Sequence, residues 1–344
     1  MTDSIDLFES GTEGYHAFRI PALTTTPTGT VLAFCEGRKN GRGDSGDIDL
    51  VLRRSDDGGQ TFAPMQVVWD DGPHTCGNPC PVVDRRTGAI ALLSTHNLGH
   101  DVEHQIIDQI SEGTRTVWLT RSEDEGRTWS APAEITATTK EPNWTWYATG
   151  PGAGIQLHSG RLVIPCDHIE AGSKKYYSHV LLSDDGGLHW RLGGSTPEDQ
   201  VNECEVVELH DGRLLLNMRN YDPSISARAF AHSDDGGETW SALQRDPVLV
   251  EPRCQASIRR SGDHLLFSNP ASAEARQNMT VRLSTDEGRT WPHSRTLYPG
   301  PAAYSCLAAL PDGRAACLYE CGAEQPYERL TLARFAPDWV RDAL

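Results

Sequence analysis

Three histidines and two acidic residues lie within nine positions of the sequence and could bind a metal. They are His96, His100 and His104, with Asp101 and Glu103 between the last two. Imidazoles four residues apart share one face of a helix, which is a spacing that zinc sites use. Gly99 and Asn97 favour a turn over a helix at this point. The sequence therefore predicts an irregular loop here and no metal site.

The cysteines offer a second set of possible metal or redox ligands. There are nine, an odd number, dispersed through the chain. Cys76 and Cys80 are separated by three residues, as are Cys317 and Cys321, whereas zinc ribbons and redox sites use pairs separated by two. Buried free thiols in a reducing compartment are predicted instead.

An acidic motif, Ser-x-Asp-x-Gly-x-Thr-Trp, recurs through the chain and places carboxylates and hydroxyls where they could bind a cation. The five copies, called the boxes below, are SDDGGQTF at 55–62, SEDEGRTW at 122–129, SDDGGLHW at 183–190, SDDGGETW at 233–240 and STDEGRTW at 284–291. A motif repeated every 50 to 67 residues is more economically a folding device than five active sites. We therefore expect catalysis from residues that occur once.

The residues that precede each box predict the secondary structure in which the box lies. A β-rich run precedes every copy: IDLVLRRS, TRTVWLTRS, SHVLLS, ARAFAHS and MTVRLS. The boxes are therefore hairpin turns, in which the aspartate accepts backbone N–H bonds, the glycine takes a positive φ and the aromatic residue packs between sheets.

Further strands are predicted after glycine turns, at similar positions within the repeats, in GAIALLS, GRLVIPC, GRLLLNM and GRAACLY. Helical periodicity is nearly absent from the sequence. About four strands per repeat predict an all-β fold, a six-bladed β-propeller in which one blade lacks a box. A single domain over residues 1–344 is expected.

Composition restricts the possible partners. The chain has 344 residues with 31 Lys+Arg and 48 Asp+Glu, so its formal charge of −17 argues against binding to nucleic acid. No stretch approaches the roughly 18 apolar residues of a membrane span. The first residues carry acidic side chains where a secretory signal needs basic ones. A cytoplasmic monomer is the expectation.

Two features of the sequence together resemble the exo-α-sialidase (neuraminidase) family. Phe18-Arg19-Ile20-Pro21 stands ahead of the boxes, and the resemblance extends over almost the whole chain. It implies retaining hydrolysis of terminal α-ketosidically linked sialic acids, a sialylated glycan as substrate, and no metal or organic cofactor.

The resemblance also implies three arginines that bind the carboxylate of sialic acid, whose oxygens suit the planar guanidinium fork. By position they are Arg19, Arg219 in the segment that follows Asn202-Glu203, and Arg276 just before the last box. Glu320 is expected to orient Arg19.

The catalytic residues follow from the same resemblance. Tyr304 matches the nucleophile of the family, since a tyrosine avoids the repulsion between a carboxylate nucleophile and the sugar carboxylate. Glu203 matches the base beside it. For the general acid, Asp44 is preferred to Asp47 and Asp49, because Asp44 lies in a glycine-rich loop whereas the other two begin or occupy a strand.

The remaining predicted ligands of the sugar are Glu36 and Arg38, which resemble a pair at its 4-position, and Asn78, which resembles a ring-pocket residue. The aromatic run 143–147 is interpreted as a sugar-stacking wall, with packing between blades as the alternative. Two enzymatic alternatives stay open, a relative acting on another 2-keto sugar acid and a trans-sialidase. A catalytically inactive glycan-binding propeller is a third, against which Tyr304, Glu203 and Asp44 together argue.

Overall fold

Strands account for nearly all the regular structure, as the β-rich runs between turns predict. The computed structural model describes residues 2–342. In chain order the strands are β1 (Asp3–Glu9), β2 (Ala17–Thr25), β3 (Val31–Arg38), β4 (Ile48–Ser55), β5 (Gln66–Trp69), β6 (Thr75–Val83), β7 (Ile90–Asn97), β8 (Thr116–Ser122), β9 (Ala133–Glu134), β10 (Trp144–Thr149), β11 (Ile155–Gln156), β12 (Leu162–Glu170), β13 (Tyr176–Ser183), β14 (Arg191–Ser195), β15 (Val201–Glu208), β16 (Leu214–Asn220), β17 (Ala227–Ser233), β18 (Gln244–Val250), β19 (Ser257–Ser261), β20 (His264–Pro270), β21 (Gln277–Ser284), β22 (His293–Ala309), β23 (Ala315–Cys321) and β24 (Arg329–Phe335). The helices are α1 (Glu103–Ile107), α2 (Thr136–Thr139) and α3 (Pro337–Arg341). The all-β prediction is confirmed.

The strands form four sheets, in which neighbours in sequence are usually neighbours in space. An eight-stranded sheet holds β2 to β9, a five-stranded sheet β10 to β14, and a four-stranded sheet β15 to β18. In the eight-stranded sheet, one parallel pair, Ile48 with Thr75, is the only pairing of β4 with β6 among the described residues.

The seven-stranded sheet holds β19 to β24 and also β1, so the two ends of the chain meet in it. Its long strand β22 pairs with β21 through His293–Pro301 and with β23 through Ala302–Ala309. β1 pairs antiparallel with β24 and completes the edge of this sheet.

The boxes are turns, as predicted, and their polar atoms bind one another. In the fourth box, Ser233 donates to Asp235 at 2.7 Å and accepts from the N–H of Gly237 at 2.9 Å. The carboxylate of Asp235 accepts from the backbone N–H of Thr239 at 2.9 Å and from its hydroxyl at 2.6 Å. The same pattern recurs in the other four boxes, with His189 replacing the threonine in the third.

Box tryptophans connect successive sheets. The indole N–H of Trp240 donates to the carbonyl of Gly194, in β14 of the preceding sheet, at 2.9 Å. Trp240 also belongs to an apolar cluster that joins Val180 and Leu182 of β13 to Leu214 and Leu216 of β16. Burial of these large side chains between sheets, at roughly 25 cal/mol per Å² of apolar area, stabilises the contacts that no backbone ladder spans.

One buried carboxylate, that of Glu205, ties separate sheets together. Glu205 accepts from the N–H groups of Ala153 and Ile258, at 3.1 and 2.8 Å, and from the hydroxyl of Ser257 at 2.8 Å. Burial raises the pKa of Glu205. Because these partners lie outside the sheet that holds Glu205, its hydrogen bonds fix the relative positions of separate sheets.

The cysteines are all buried and unpaired, which confirms the prediction of buried free thiols. None of the helices within residues 2–342 is long and apolar enough to cross a membrane.

Candidate active site

Five strands interrupt their regular pairing where they face one cavity. Register shifts lie between Arg19 and Ala22 in β2, Gly77 and Cys80 in β6, Trp144 and Tyr147 in β10, Val201 and Cys204 in β15, and Ala302 and Ser305 in β22. We call these the site bulges. A bulge leaves residues unpaired and re-aims their side chains. At or inside the site bulges lie Arg19, Asn78, Trp146, Glu203 and Tyr304, and all five line the cavity.

Nine of the ten predicted site residues line this cavity. They are Arg19, Glu36, Arg38, Asp44, Asn78, Glu203, Arg219, Arg276 and Tyr304. The tenth, Glu320, is fully buried behind Arg19. The positions that the resemblance selects, which span the chain from residue 19 to residue 320, therefore converge on one place.

Tyr304, Glu203 and Arg219 form a hydrogen-bonded group. The Tyr304 hydroxyl donates to Oε1 of Glu203 at 2.5 Å. Arg219 donates to the other carboxylate oxygen at 2.7 Å and to the tyrosine oxygen at 3.2 Å. Burial raises the pKa of Tyr304 well above its ordinary value, and the charge of Glu203 raises it further. The phenol therefore keeps its proton at rest and has a carboxylate in contact to receive it.

Arg19 is fixed by a two-point contact with Glu320. Its Nε and one terminal nitrogen donate to the two carboxylate oxygens at 3.1 and 3.3 Å. Burial alone would lower the pKa of Arg19, but the charge of Glu320, acting together with Tyr304 and Asp44, raises it. The same carboxylate accepts from the backbone N–H groups of Ile20 and Tyr304 at 3.0 and 3.1 Å. Glu320 thus orients Arg19 and holds the nucleophile candidate beside it.

Arg276 is held by neutral groups. Its guanidinium donates to the Tyr327 hydroxyl at 3.0 Å and to the carbonyl of Arg253 at 3.2 Å. Within residues 2–342, no carboxylate oxygen lies within 4.0 Å of it. Arg276 and Arg19 both approach the ring of Tyr304, with guanidinium carbons 5.5 and 5.2 Å from its centroid. An unpaired guanidinium beside the phenol is suited to binding an anion.

Asp44 lies at the mouth of the cavity, with its side chain 55% exposed. It accepts from Arg38 at 2.8 Å, and a nitrogen of Arg19 lies 3.8 Å away. Burial would raise the pKa of Asp44, but Arg38 and then Arg19 hold it below its ordinary value. The carboxylate is therefore ionised before any ligand enters.

The two aspartates that were considered beside Asp44 lie outside the cavity. Asp47 and Asp49 form a trio with Asp70 around the ammonium group of Lys39, at 2.9, 3.0 and 3.5 Å. Asp49 also accepts from the Tyr15 hydroxyl at 2.6 Å. The trio has a spacing that could hold a cation, but the lysine already compensates its charge.

Glu36, Arg38 and Asn78 form one connected wall of the cavity. Arg38 donates to Glu36 through two nitrogens at 2.9 and 2.6 Å. The other oxygen of Glu36 accepts from the backbone N–H of Asn78 at 2.8 Å. Asn78 has a positive φ of 51°, which asparagine tolerates better than most residues. This wall is polar and rigid.

The histidine cluster is divided among separate partners. His96 contacts Asp71 at 2.8 Å and His100 contacts Glu112 at 3.0 Å. His96 lies in β7, and His104 lies in the five-residue helix α1. The predicted irregular loop is therefore shorter than expected. It begins only after β7 ends at Asn97, and it stops at α1, where the side chain of Gln105 accepts from the N–H of Val102 and closes a short helical turn.

The aromatic run is split between the cavity and the interior. Trp146 lines the cavity and lies beneath Arg115, whose guanidinium carbon is 3.8 Å from the ring centroid. Trp144 instead stacks on His168, with centroids 3.5 Å apart. Of the three aromatic residues in the run, only Trp146 lines the cavity, because the bulge between Trp144 and Tyr147 breaks the alternation that would place residues 144 and 146 on one face.

Three ionisable residues that line the cavity were missed from the sequence as site residues: Glu103, Arg115 and Asp167. Asp167 stands within the apolar strand LVIPCDHIE, and a lone acidic residue in a buried strand was the available signal. Arg115 follows a polar loop and gave no comparable signal.

Known proteins were compared with the chain. The family model described as a BNR repeat-like domain matches residues 29–317. A sialidase of Micromonospora viridifaciens is 36% identical over 349 residues, which cover 95% of this chain and 53% of that protein. The chain thus spans about half the length of that relative. An exo-alpha-sialidase of Arthroderma benhamiae is 31% identical over 370 residues, covering 98% of this chain and 87% of that protein.

Among solved structures, the Hadza microbial sialidase Hz136 matches with a TM-score of 0.88 at 29% identity, over 98% of this chain and 69% of that one. The fold described above is therefore the all-β sialidase fold. Since the family model and the exo-alpha-sialidase relative both match most of its length, the chain belongs to the sialidase family.

Proposed function

We propose that this protein is an exo-α-sialidase that hydrolyses terminal α-ketosidically linked sialic acids from glycoconjugates with retention of configuration. The observation that carries the proposal is the contact of Tyr304 with Glu203 in a cavity where three arginines converge. The relatives named sialidase support the same activity. The three arginines, Tyr304, Glu203 and Asp44 each have a role in that reaction.

The three arginines bind the carboxylate on the anomeric carbon. Arg276 has no carboxylate partner, and Arg219 keeps a buried Nε without a hydrogen-bond partner among the described residues. Arg19 is oriented from behind by Glu320. Bidentate binding of one carboxylate by these forks fixes the anomeric carbon above Tyr304.

Tyr304 is the nucleophile. Its oxygen attacks the anomeric carbon while its proton passes to Glu203, and the bond from that carbon to the leaving oxygen breaks. The raised pKa of Tyr304 means that the free phenol is a weak nucleophile, so transfer to the base must accompany attack. A neutral phenol also avoids the repulsion that a carboxylate would meet from the bound sugar carboxylate.

Asp44 is the general acid in this step. It must hold a proton to give one to the leaving oxygen, whereas Arg38 and Arg19 keep it ionised in the empty site. An entering substrate carboxylate compensates the charge of Arg19 and excludes water from Asp44. Both effects raise the pKa of Asp44 in the complex.

A water then takes the place of the leaving group. Asp44 removes its proton, the water oxygen attacks the anomeric carbon, and Tyr304 departs and recovers its proton from Glu203. Two successive inversions give retention. A trans-sialidase uses the same intermediate with a sugar hydroxyl as acceptor, so this alternative differs only in the second step. An inactive glycan-binding module has no use for the tyrosine and its base.

Release of free sialic acid from a synthetic aryl α-ketoside tests the proposal. We expect the α-anomer as the first product in a time-resolved NMR spectrum, before mutarotation. Adding lactose as acceptor separates hydrolysis from transfer. A folded protein that releases no sugar acid overturns the proposed activity, and a β-anomer as first product overturns the mechanism.

We propose further that residues 1–344 form one domain, a ring of six four-stranded blades. The single parallel bridge between β4 and β6 and the divided pairing of β22 support a separation of the eight- and seven-stranded sheets into two blades each. β1 then closes the ring on β24. Scanning calorimetry should give one cooperative transition, and two separated transitions would contradict the single ring.

A further inference from the structure

A buried ion pair lies behind two of the cavity arginines. Arg228 stands near the start of β17 and Glu251 directly follows β18, and their side chains are at most 1% exposed. The cavity lining includes neither residue. Removing two charges from water is costly, and apolar side chains of similar volume often stabilise such a place as well or better. Packing alone therefore does not account for a charged pair here.

The Glu251 end of the pair holds the backbone beside Arg219. Oε1 of Glu251 accepts from the backbone N–H of Asn220, the residue after Arg219, at 2.6 Å. Oε2 accepts from Arg228. The guanidinium of Arg228 also donates through Nε to the side-chain oxygen of Asn217 at 2.8 Å. The end of β16 that carries Arg219 is thus tied to the ion pair at two residues.

The Arg228 end of the pair holds the chain beside Arg276. The terminal nitrogen of Arg228 that contacts Glu251 also donates to the carbonyl of Cys254 at 2.8 Å. The preceding residue, Arg253, accepts from Arg276 through its carbonyl at 3.2 Å. Arg253 has a positive φ of 49°, a conformation that a residue other than glycine keeps only when its surroundings hold it. The bond from Arg228 to the next carbonyl is one such restraint.

The segment that the pair anchors, residues 251–255 and called the strap below, also reaches the nucleophile candidate. The buried side chain of Gln255 donates to the carbonyl of Ser305 at 2.9 Å and accepts from its N–H at 3.0 Å. Ser305 is the residue after Tyr304. The strap therefore contacts the chain beside both arginines and beside the tyrosine.

We propose that Arg228 and Glu251 are positioning residues that set the separation of Arg219 and Arg276, so that both guanidinium groups meet one carboxylate. The inference rests on the proposed function, because that carboxylate is the one on the anomeric carbon of the substrate. Two forks share one carboxylate only when their spacing matches its oxygens. Hydrogen bonds are directional and can fix such a spacing, whereas apolar contacts are not directional.

Calorimetric binding of two ligands measures what the carboxylate contributes. One ligand is the 2,3-unsaturated derivative of sialic acid, and the other is its primary amide, in which a neutral group replaces the carboxylate. The ratio of their two dissociation constants is the readout for each protein. A general loss of structure weakens both ligands together and leaves the ratio unchanged, whereas a change in the spacing of the arginines alters the ratio. Thermal denaturation shows that each variant is folded.

The main variant replaces the pair with apolar side chains, Arg228→Met together with Glu251→Leu. A second variant, Glu251→Gln, removes the charge, while its amide oxygen can still accept from the N–H of Asn220. The matched control is Arg260→Met together with Glu287→Leu. That control removes an ion pair of 2.6 Å between β19 and the fifth box, outside the cavity.

We expect the wild type to prefer the carboxylate by about 100-fold, the scale of hydrogen bonds between charged groups. The apolar double variant should lower that preference by about 10-fold, since small misplacements of binding groups are costly. Its dissociation constant for the amide should stay within about threefold of the wild-type value, the scale of a few tenths of a kcal/mol. Glu251→Gln should lower the preference by less than the double variant, and the control should keep it.

Wild-type preference in both the double variant and Glu251→Gln overturns the inference, and so does a parallel loss for the carboxylate and the amide. If the double variant does not fold, the ratio for Glu251→Gln decides. A wild type without a preference for the carboxylate also overturns the inference. Release of sialic acid from an aryl α-ketoside by the same wild-type sample reports on the proposed function separately. A wild type that prefers the carboxylate but releases no sugar acid overturns the proposed function and leaves the inference standing.

Discussion

The hydroxyl of Tyr304 donates to Oε1 of Glu203 at 2.5 Å across 101 positions of sequence. Tyr304 lies in β22 of the seven-stranded sheet and Glu203 lies in β15 of the four-stranded sheet. The pair therefore exists only in the folded chain. The two residues act as one unit, because the carboxylate of Glu203 accepts the hydrogen bond from the Tyr304 hydroxyl.

The first prediction concerns the covalent intermediate. A fluorinated sialosyl fluoride should label the wild type, because the fluorine slows breakdown of the adduct more than the fluoride leaving group slows its formation. Digestion and mass spectrometry should find the sugar on the peptide that contains Tyr304, and Tyr304→Phe should not be labelled. The matched control is Tyr319→Phe, a buried tyrosine outside the cavity, which should label normally. A label on Glu203 or Asp44 contradicts the assigned nucleophile.

The second prediction separates Asp44 from the binding groups. Asp44→Ala should lower kcat/KM by about 10² to 10⁴ for substrates with a poor leaving group, which need a proton. Activated aryl ketosides should be affected much less. The two substrate classes are compared in steady-state assays. Equal losses for both would show that Asp44 acts in binding rather than in proton transfer.

The third prediction tests bidentate binding of the sugar carboxylate. Arg276→Lys keeps the charge but loses the fork, and should cost about 1.5 to 3 kcal/mol in transition-state binding, measured from kcat/KM. Arg295→Lys is a suitable control, because Arg295 stacks on Trp339 away from the cavity. Wild-type kinetics for Arg276→Lys would remove this arginine from the site.

The fourth prediction separates the boxes from chemistry. Asp235→Ala should lower the free energy of unfolding by about 1 kcal/mol through lost turn hydrogen bonds, while the folded protein keeps its kcat. Asp234→Ala, at an adjacent exposed carboxylate, should change neither quantity. Calcium should also change neither. A calcium requirement for activity that disappears in Asp235→Ala would show that the box is a functional site.

The same carboxylate gives a pH dependence. Burial would raise the pKa of Asp235, but hydrogen bonds from Thr239 and Ser233 lower it from 3.8 to about 2. Its contribution to stability is therefore full above pH 4 and is lost as the pH falls toward 2. Denaturation curves recorded at several pH values across this window give the free energy of unfolding, which should depend less on pH for Asp235→Ala than for the wild type.

The fifth prediction concerns Lys140, which has no role in the proposed mechanism. Burial lowers the pKa of Lys140 to about 7, and its ammonium group donates to Thr114 and to the carbonyl of Thr145, both at 2.9 Å. The cost of burying its charge is full below pH 7 and decreases as the pH rises toward 10.5, the ordinary value. Lys140→Met should therefore flatten the rise of unfolding free energy between pH 7 and 9.5. The exposed Lys175→Met should keep the wild-type slope, and an unchanged slope in Lys140→Met contradicts the assignment.

The strands and turns of this fold could be predicted because their signals are local. The hydroxyl of Ser233 and the carboxylate of Asp235 find their partners within six residues, so the sequence of one box contains the whole turn. α1 was not predicted, since five residues are too few to show a helical period.

The candidate site was only partly predictable, because its residues are distant from one another in the sequence. Arg19 and Tyr304 stand in motifs that occur once and that resemble a family, so their positions could be compared. Arg115 and Asp167 belong to no such motif, and their meeting in one cavity depends on how two sheets are placed. Which half of the aromatic run faces the cavity depends in turn on strand register, which the bulge in β10 shifts.

The site bulges have a consequence for how this protein can change. A side chain within a regular ladder is restricted by its cross-strand neighbours, so a substitution there alters the sheet as well as the site. The residues at the site bulges are released from that restriction, while the regular pairing of their strands resumes on either side. Replacements at the site bulges can therefore reshape the cavity without moving the strand pairing around it, so recognition can diversify on an unchanged framework.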